Sequence, residues 1–263
     1  MKDFLLLTLY APLVSWGDIA VGEYRGSWDR PSRSAVLGLL AAALGIEREN
    51  QDAHDALDRG YGVAVRADVA GAPLVDYHTA QTVDAVTVKK RRPATRAELL
   101  DVRDRQTILS RRTYRQDALA TIAIWVRPTE PSHVDPPKSL HKIEDALRRP
   151  RFVLYAGRKA NTFGLPLDPC VQPAETLADA LAYALARRTS RIQALSPFGE
   201  AFLHMTSPSE VEVSHDPCKG FASGLRPLRR DVRRDAGAHR GRWQFAERVV
   251  EVGVMTVPAG AVA

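Results

Sequence analysis

The stretch "RPSRSAVLGLLAAALGI", residues 30 to 46, constrains the fold more than any other, because its apolar run must be buried. A bilayer span needs about 20 apolar residues, and residues 34 to 45 as a helix reach only about 18 Å, so the run belongs in a protein interior. Within it Leu37, Leu40 and Leu44 share one helical stripe. Ala35, Gly38, Ala42 and Gly45 share another, which allows close backbone approach. Ser34 is placed to cap the helix. A helix N-terminus carries unpaired N–H groups and partial positive charge, so Arg30, Ser32, Arg33 and Ser34 around it suit a phosphate. The plainer alternative is a capped core helix with solvated arginines. The GxxxxGK[ST] loop of nucleotide-binding enzymes is absent.

A chain of 263 residues with 45% hydrophobic content has enough material for one large domain or two small ones. Cys170 and Cys218 lie far apart with no CxxC, and the seven histidines show no HExxH-type spacing. Neither a disulfide framework, a metal site nor a cofactor is signalled, and a reducing, cytoplasmic setting fits. The opening "MKDFLLLTLYAPLVSW" has Asp3 directly after its only lysine and no small-x-small site, so it reads as a buried first strand and not as a signal peptide.

The net charge of +6 is unevenly placed. Residues 84 to 115 hold ten Lys or Arg against four Asp or Glu, and residues 224 to 248 hold eight against three, which leaves the remainder net acidic. Segregated positive charge is the footprint of a polyanion binder, the alternative being a pair of solvated loops.

Along the chain, residues 3–10 read as a strand and residues 12–31 as a long loop carrying Trp16, Tyr24 and Trp28. A short helix over 52–59 precedes the strand "YGVAVRAD". In the basic segment, "DAVTVKK" and "QTILSRRTY" read as antiparallel arms of a protruding hairpin around Pro93, its cations being Lys89, Lys90, Arg91, Arg92, Arg111, Arg112 and Arg115. "ALATIAIWV" is an apolar strand, and residues 136–149 form an amphipathic helix with Leu140, Ile143 and Leu147 on one side. Residues 151–169 read as a strand running into a Gly-Arg-Lys turn, where Tyr155, Gly157, Arg158 and Lys159 make a second phosphate clasp. Residues 175–188 read as a helix, residues 216–242 as a basic loop, and "RVVEVGVMTV" as a closing strand.

This order predicts an α+β, ferredoxin-like or RRM-like fold with a β-hairpin thumb inserted at about 84–116. The expected division is 1–165 for that unit and 166–263 for a smaller β-rich part packed on it. Tyr77 and His78, at the root of the hairpin, are the candidate catalytic pair, since a neutral histidine can take the proton of a 2′-hydroxyl. His78 donating a hydrogen bond to a phosphate is the other reading.

Taken in order, "LVSWGD", "RPSRSAVLGLLAAALGI", "DYHT", "QTILSRRTYRQDALATIAIWV", "RRPRFVLYAGRK" and "HDP…WQFAERVVEV" resemble the CasD family, the small RAMP-type subunit of the type I-E CRISPR Cascade surveillance complex. The resemblance covers most of residues 1–165 and thins across 175–248. It implies a non-catalytic RNA-binding cap on the 5′ handle of the crRNA, packed against the backbone subunit and beside the large subunit, with target DNA nearby. Related small subunits of type I-C systems cleave RNA, which leaves a metal-independent endoribonuclease using His78 as the alternative.

Overall fold

A computed structural model describes residues 1–102, 105–128, 138–193, 210–239 and 244–256. In chain order it contains β1 (Lys2–Val14), β2 (Tyr24–Arg25), α1 (Arg33–Leu44), α2 (Gln51–Gly60), β3 (Tyr61–Val69) and β4 (Ala72–Thr82). Then come α3 (Ala85–Arg91), α4 (Arg96–Leu100), β5 (Gln106–Val126), α5 (Leu140–Arg148) and β6 (Cys170–Ala174). The chain closes with α6 (Leu177–Gln193), β7 (Glu210–His215), β8 (Arg226–His239) and β9 (Gln244–Thr256).

The main sheet runs β6-β1-β5-β3-β7-β9-β8, with β2 and β4 both paired to β5. Its central strands are apolar without alternation, because both faces are covered. On one face Leu5, Leu7, Val63, Ile122 and Ile124 pack against Val36, Leu37 and Leu40 of α1 and Ile143 of α5. On the other, Phe4, Leu6, Ala123 and Trp125 pack under Leu177, Leu181 and Leu185 of α6. Phe4, Trp125 and Phe221 meet edge-on with centroids 5.4 to 6.1 Å apart, and Gly62 is required beside them, since a Cβ there would lie 2.2 Å from the Trp125 ring. The C-terminal strands continue the same sheet through the β3–β7 ladder, in which Val65 pairs with Ser214.

Several sequence expectations are corrected. Ser32, not Ser34, caps α1, accepting from the Ala35 N–H at 3.2 Å. The hairpin arms are β4 and the first half of β5, with Tyr77 opposite Arg111 and His78 opposite Ser110. "DAVTVKK" is no arm, because Asp84 caps a helix there by accepting from Val86 N and Thr87 N. Residues 151–169 form no strand: the Arg151 and Phe152 N–H groups bond to Ala43 O and Ala42 O, carbonyls of the last turn of α1. The fourth strand expected there is β6 instead. Most of the basic segment read as a loop over 216–242 is strand β8, paired along β9; residues 240–242 lie outside the described residues. Helix α5 begins at Leu140 behind the cap Ser139, and Pro136 and Pro137, read as its start, lie outside the described residues as well. No helix among the described residues is long and apolar enough to cross a membrane.

Candidate nucleic-acid interface

Ser32, Ser34, Tyr155 and Gly157 of the two clasps expected from the sequence line one groove of about 950 Å³, while Arg30, Arg33, Arg158 and Lys159 are not on its lining. Ser32, Ser34, Ala35 and Gly38 of α1 form one side, Tyr155 and Gly157 another, and Arg233, Arg234 and Phe245 overhang it from β8 and β9. Gly157 adopts φ +86° and lies so close to β1 that a Cβ would fall 1.7 Å from Ser15 O, so no other residue fits.

The start of α1 differs from the expected phosphate site. Arg33 is 2% exposed, and its guanidinium is fully committed to protein acceptors. Nε donates to Asp216 at 2.9 Å, Nη1 to Asp58, and Nη2 to Asp58 O and Tyr61 O at 2.6 and 2.9 Å. Its backbone N–H, a free donor of the first helical turn, is taken by the Asp235 carboxylate at 2.8 Å. Asp235 is held in turn by Arg248 at 2.6 and 3.1 Å, and Arg248 and Arg127 each reach Asp216 at 2.7 Å. Burial pushes the Asp216 carboxyl up, but Arg33, Arg127 and Arg248 outweigh it and hold the group below the ordinary carboxylate value. Arg30 is likewise buried, bonded to Asp29, Glu212 and Ser214 at 2.9 to 3.3 Å. Arg30 and Arg33 therefore tie α1 to β3, β7 and β8, and the anion at the helix terminus is the chain's own Asp235. Ser34 bonds to Ser32 at 3.0 Å on the groove side.

The cations of the inserted segment stand differently. Lys89, Lys90 and Arg91 occupy the last turn of α3, where positive charge complements the helix dipole. With Arg92 at the cap they are exposed and make no ion pair among the described residues. Arg111 is exposed and Arg112 half-buried, its Nε donating to Ser110 at 3.3 Å. Arg115 donates to Gly71 O at 3.3 Å, while its buried Nε has no hydrogen-bond partner among the described residues. Arg158 lies over the Tyr114 ring at 4.3 Å with one buried guanidinium nitrogen likewise unpartnered, and Lys159 is exposed.

Tyr77 and His78 are consecutive on β4, so their side chains point to opposite faces and do not converge on one reacting atom. The nearest carboxylate to His78 is Asp76 at 3.9 Å, with both side chains more than 40% exposed. Arg233, Arg234 and Phe245 are groove residues that escaped the sequence reading. The signal for them was the position of the basic segment just before the closing strand, but nothing local tells which of its residues turn inward.

The family comparison places this chain among CRISPR-associated proteins, as the motif order anticipates. Residues 4–251 match the family described as CRISPR-associated protein (Cas_Cas5), and the chain belongs to that family. It is 30% identical over 175 residues to the CRISPR system Cascade subunit CasD of Escherichia coli (strain K12), a match covering 64% of this chain and 70% of that protein. Among solved structures, a chain of a CRISPR RNA-guided surveillance complex superposes with a TM-score of 0.60 at 24% identity, covering 97% of this chain and 91% of the other. A crystal structure of a Cas protein gives 0.56 at 23% identity, covering 98% and 99%.

Proposed function

We propose that the protein is a non-catalytic RNA-binding subunit of a type I-E Cascade complex that caps the 5′ handle of the crRNA in the cytoplasm. The observation carrying this reading is the run Lys89-Lys90-Arg91-Arg92 at the end of an inserted hairpin, exposed and without an acidic partner among the described residues. Membership of the Cas5 family and similarity to a Cascade subunit supply the setting. Strand order β6-β1-β5-β3, with α1 and α5 on one face, supports a ferredoxin-like unit over residues 1–165 with a β-rich part over 166–263, and β4–β5 serves as its thumb.

Single-stranded RNA is held by phosphate neutralisation, stacking and 2′-hydroxyl contacts. On this reading Lys89, Lys90, Arg91, Arg92, Arg111, Arg112 and Arg115 line the thumb. Tyr155, Gly157, Arg158 and Lys159 form the second contact, and His78 offers a hydrogen bond from the hairpin. Ser32 and Ser34 face the groove between them. The backbone and large subunits of the complex pack alongside, with target DNA nearby.

Alanine at Lys89, Lys90, Arg91 and Arg92 is expected to expose the crRNA handle to nuclease in the purified complex. Unchanged protection and unchanged assembly would overturn the reading. Incubating the isolated chain with repeat RNA in EDTA is expected to give no cleavage product. A discrete product abolished by His78→Ala would establish the endoribonuclease instead.

A further inference from the structure

A separate cluster of charge lies under α6, on the face of the sheet away from α1. Thr8, Thr121, Arg66 and Val213 stand side by side across β1, β5, β3 and β7, next to the apolar row Leu6, Ala123 and Ala64. Arg66 is 0% exposed and Asp68 2%. Asp68 is shared three ways: it accepts from Arg66 Nη1, from Thr121 Oγ1 at 2.6 Å and from Arg188 Nη1 of α6 at 3.0 Å. Thr121 Oγ1, its proton committed to Asp68, accepts from Arg188 at 3.0 Å as well.

Two arginines therefore meet one carboxylate, and neither pairs with another among the described residues. A buried charge without a counter-charge is costly. Burial, with the Arg188 charge adding, pushes the Arg66 guanidinium down to about 10. Arg66 Nε and Nη2 are buried with no hydrogen-bond partner among the described residues. These two nitrogens form the side-on fork of a guanidinium, the edge that meets two oxygens of one planar anion at once. Asp68 engages Nη1 only, so the surplus charge and the uncommitted fork belong to the same cluster.

We propose that Arg66 holds a small monovalent oxyanion of the formate, bicarbonate or nitrate class on Nε and Nη2, and that this ion balances the second arginine beneath α6. Burial selects its size: with Arg66, Asp68 and Thr121 no more than 2% exposed, a phosphodiester or a side chain of another protein has no approach. The fork selects a planar oxyanion over a halide. Because Arg188 comes from α6, the ion helps fasten that helix to the sheet, independently of any binding of RNA.

The test uses the full chain, with sodium formate replacing sodium chloride at constant ionic strength and the thermal midpoint as readout. Wild type is expected to rise with the logarithm of formate concentration above the dissociation constant. Arg66→Met leaves Asp68 paired with Arg188 and Thr121, and replacing a buried ion by an apolar chain of similar size is commonly tolerated. Its midpoint in chloride is expected at or above that of wild type and flat against formate. Crystals of wild type grown in formate give a reading that does not depend on the variant folding. The ion is expected about 2.7–3.0 Å from both Nε and Nη2 of Arg66.

A wild-type midpoint that does not distinguish formate from chloride, or an equal rise in Arg66→Met, overturns the inference. So does a water on the fork, or formate at exposed arginines alone, which would make it an adventitious ion only.

Discussion

In residues 84–115, Lys89, Lys90, Arg91 and Arg92 project into solvent from a short helix, with no acidic partner among the described residues. In residues 224–248, by contrast, Arg226 meets Glu210, Arg229 meets Glu212 and Asp231, Arg230 meets Glu251, and Arg248 meets Asp216 and Asp235. The two segments have almost the same charge excess in the sequence and use it differently. The first leaves its charge facing solvent. The second uses much of its charge to fasten β8 and β9 to α1, β3 and β7. Net charge along a chain therefore states how much electrostatic interaction is available, and only the fold states whether it is internal.

The sharpest way to break this distinction is through Asp216, the buried carboxylate shared by Arg33, Arg127 and Arg248. Asp216→Ala leaves Arg33 charged and 2% exposed without that partner, and is expected to cost about 3–5 kcal/mol in denaturant unfolding. A loss under about 1 kcal/mol would mean the network is ornamental.

A smaller effect is expected from acid. The Glu212 carboxyl lies below its ordinary value chiefly because Arg229 hydrogen-bonds to it, with partial burial opposing and the charges of Arg229 and Arg30 adding. A depressed folded-state value stabilises fully above the unfolded glutamate value near 4.3 and is lost as pH falls through the folded value. Unfolding free energy should therefore decline below about pH 4.5, and less steeply in Glu212→Gln. Identical acid limbs would remove Glu212 from the fastening.

The smallest change is predicted at Arg230, whose contact with Glu251 is exposed and 3.4 Å long. Arg230→Ala should alter stability by no more than about 0.5 kcal/mol.

Much of the scaffold was legible because burial leaves periodicity. Leu37 and Leu40 at helical spacing, Leu140, Ile143 and Leu147, and the run of β1 all occupy the core positions their patterns require. Errors arose where a local pattern competed with a distant partner. "AVTVK" alternates like a strand, but Asp84 supplies a helix cap and β4 already fills the arm position beside β5. "RFVLY" has strand-like residues, yet its first amides complete the end of α1. Arg33 shows the same limit at the site. Its position before an apolar helix was legible, while its partners Asp216 and Asp235 lie 183 and 202 residues away. No spacing rule reaches that far.

Salt dependence of RNA binding tests the contrast between the two basic segments most directly. Full-length chains with alanine at Lys89, Lys90, Arg91 and Arg92, or at Arg226, Arg229 and Arg230, are compared with wild type on one single-stranded RNA across a salt series. The account predicts that the first set weakens binding at low salt and lowers the slope of log K against log salt by about 0.7 for each phosphate that is no longer neutralised. The second set should leave affinity and slope close to wild type. A slope reduced by the second set and untouched by the first would contradict it.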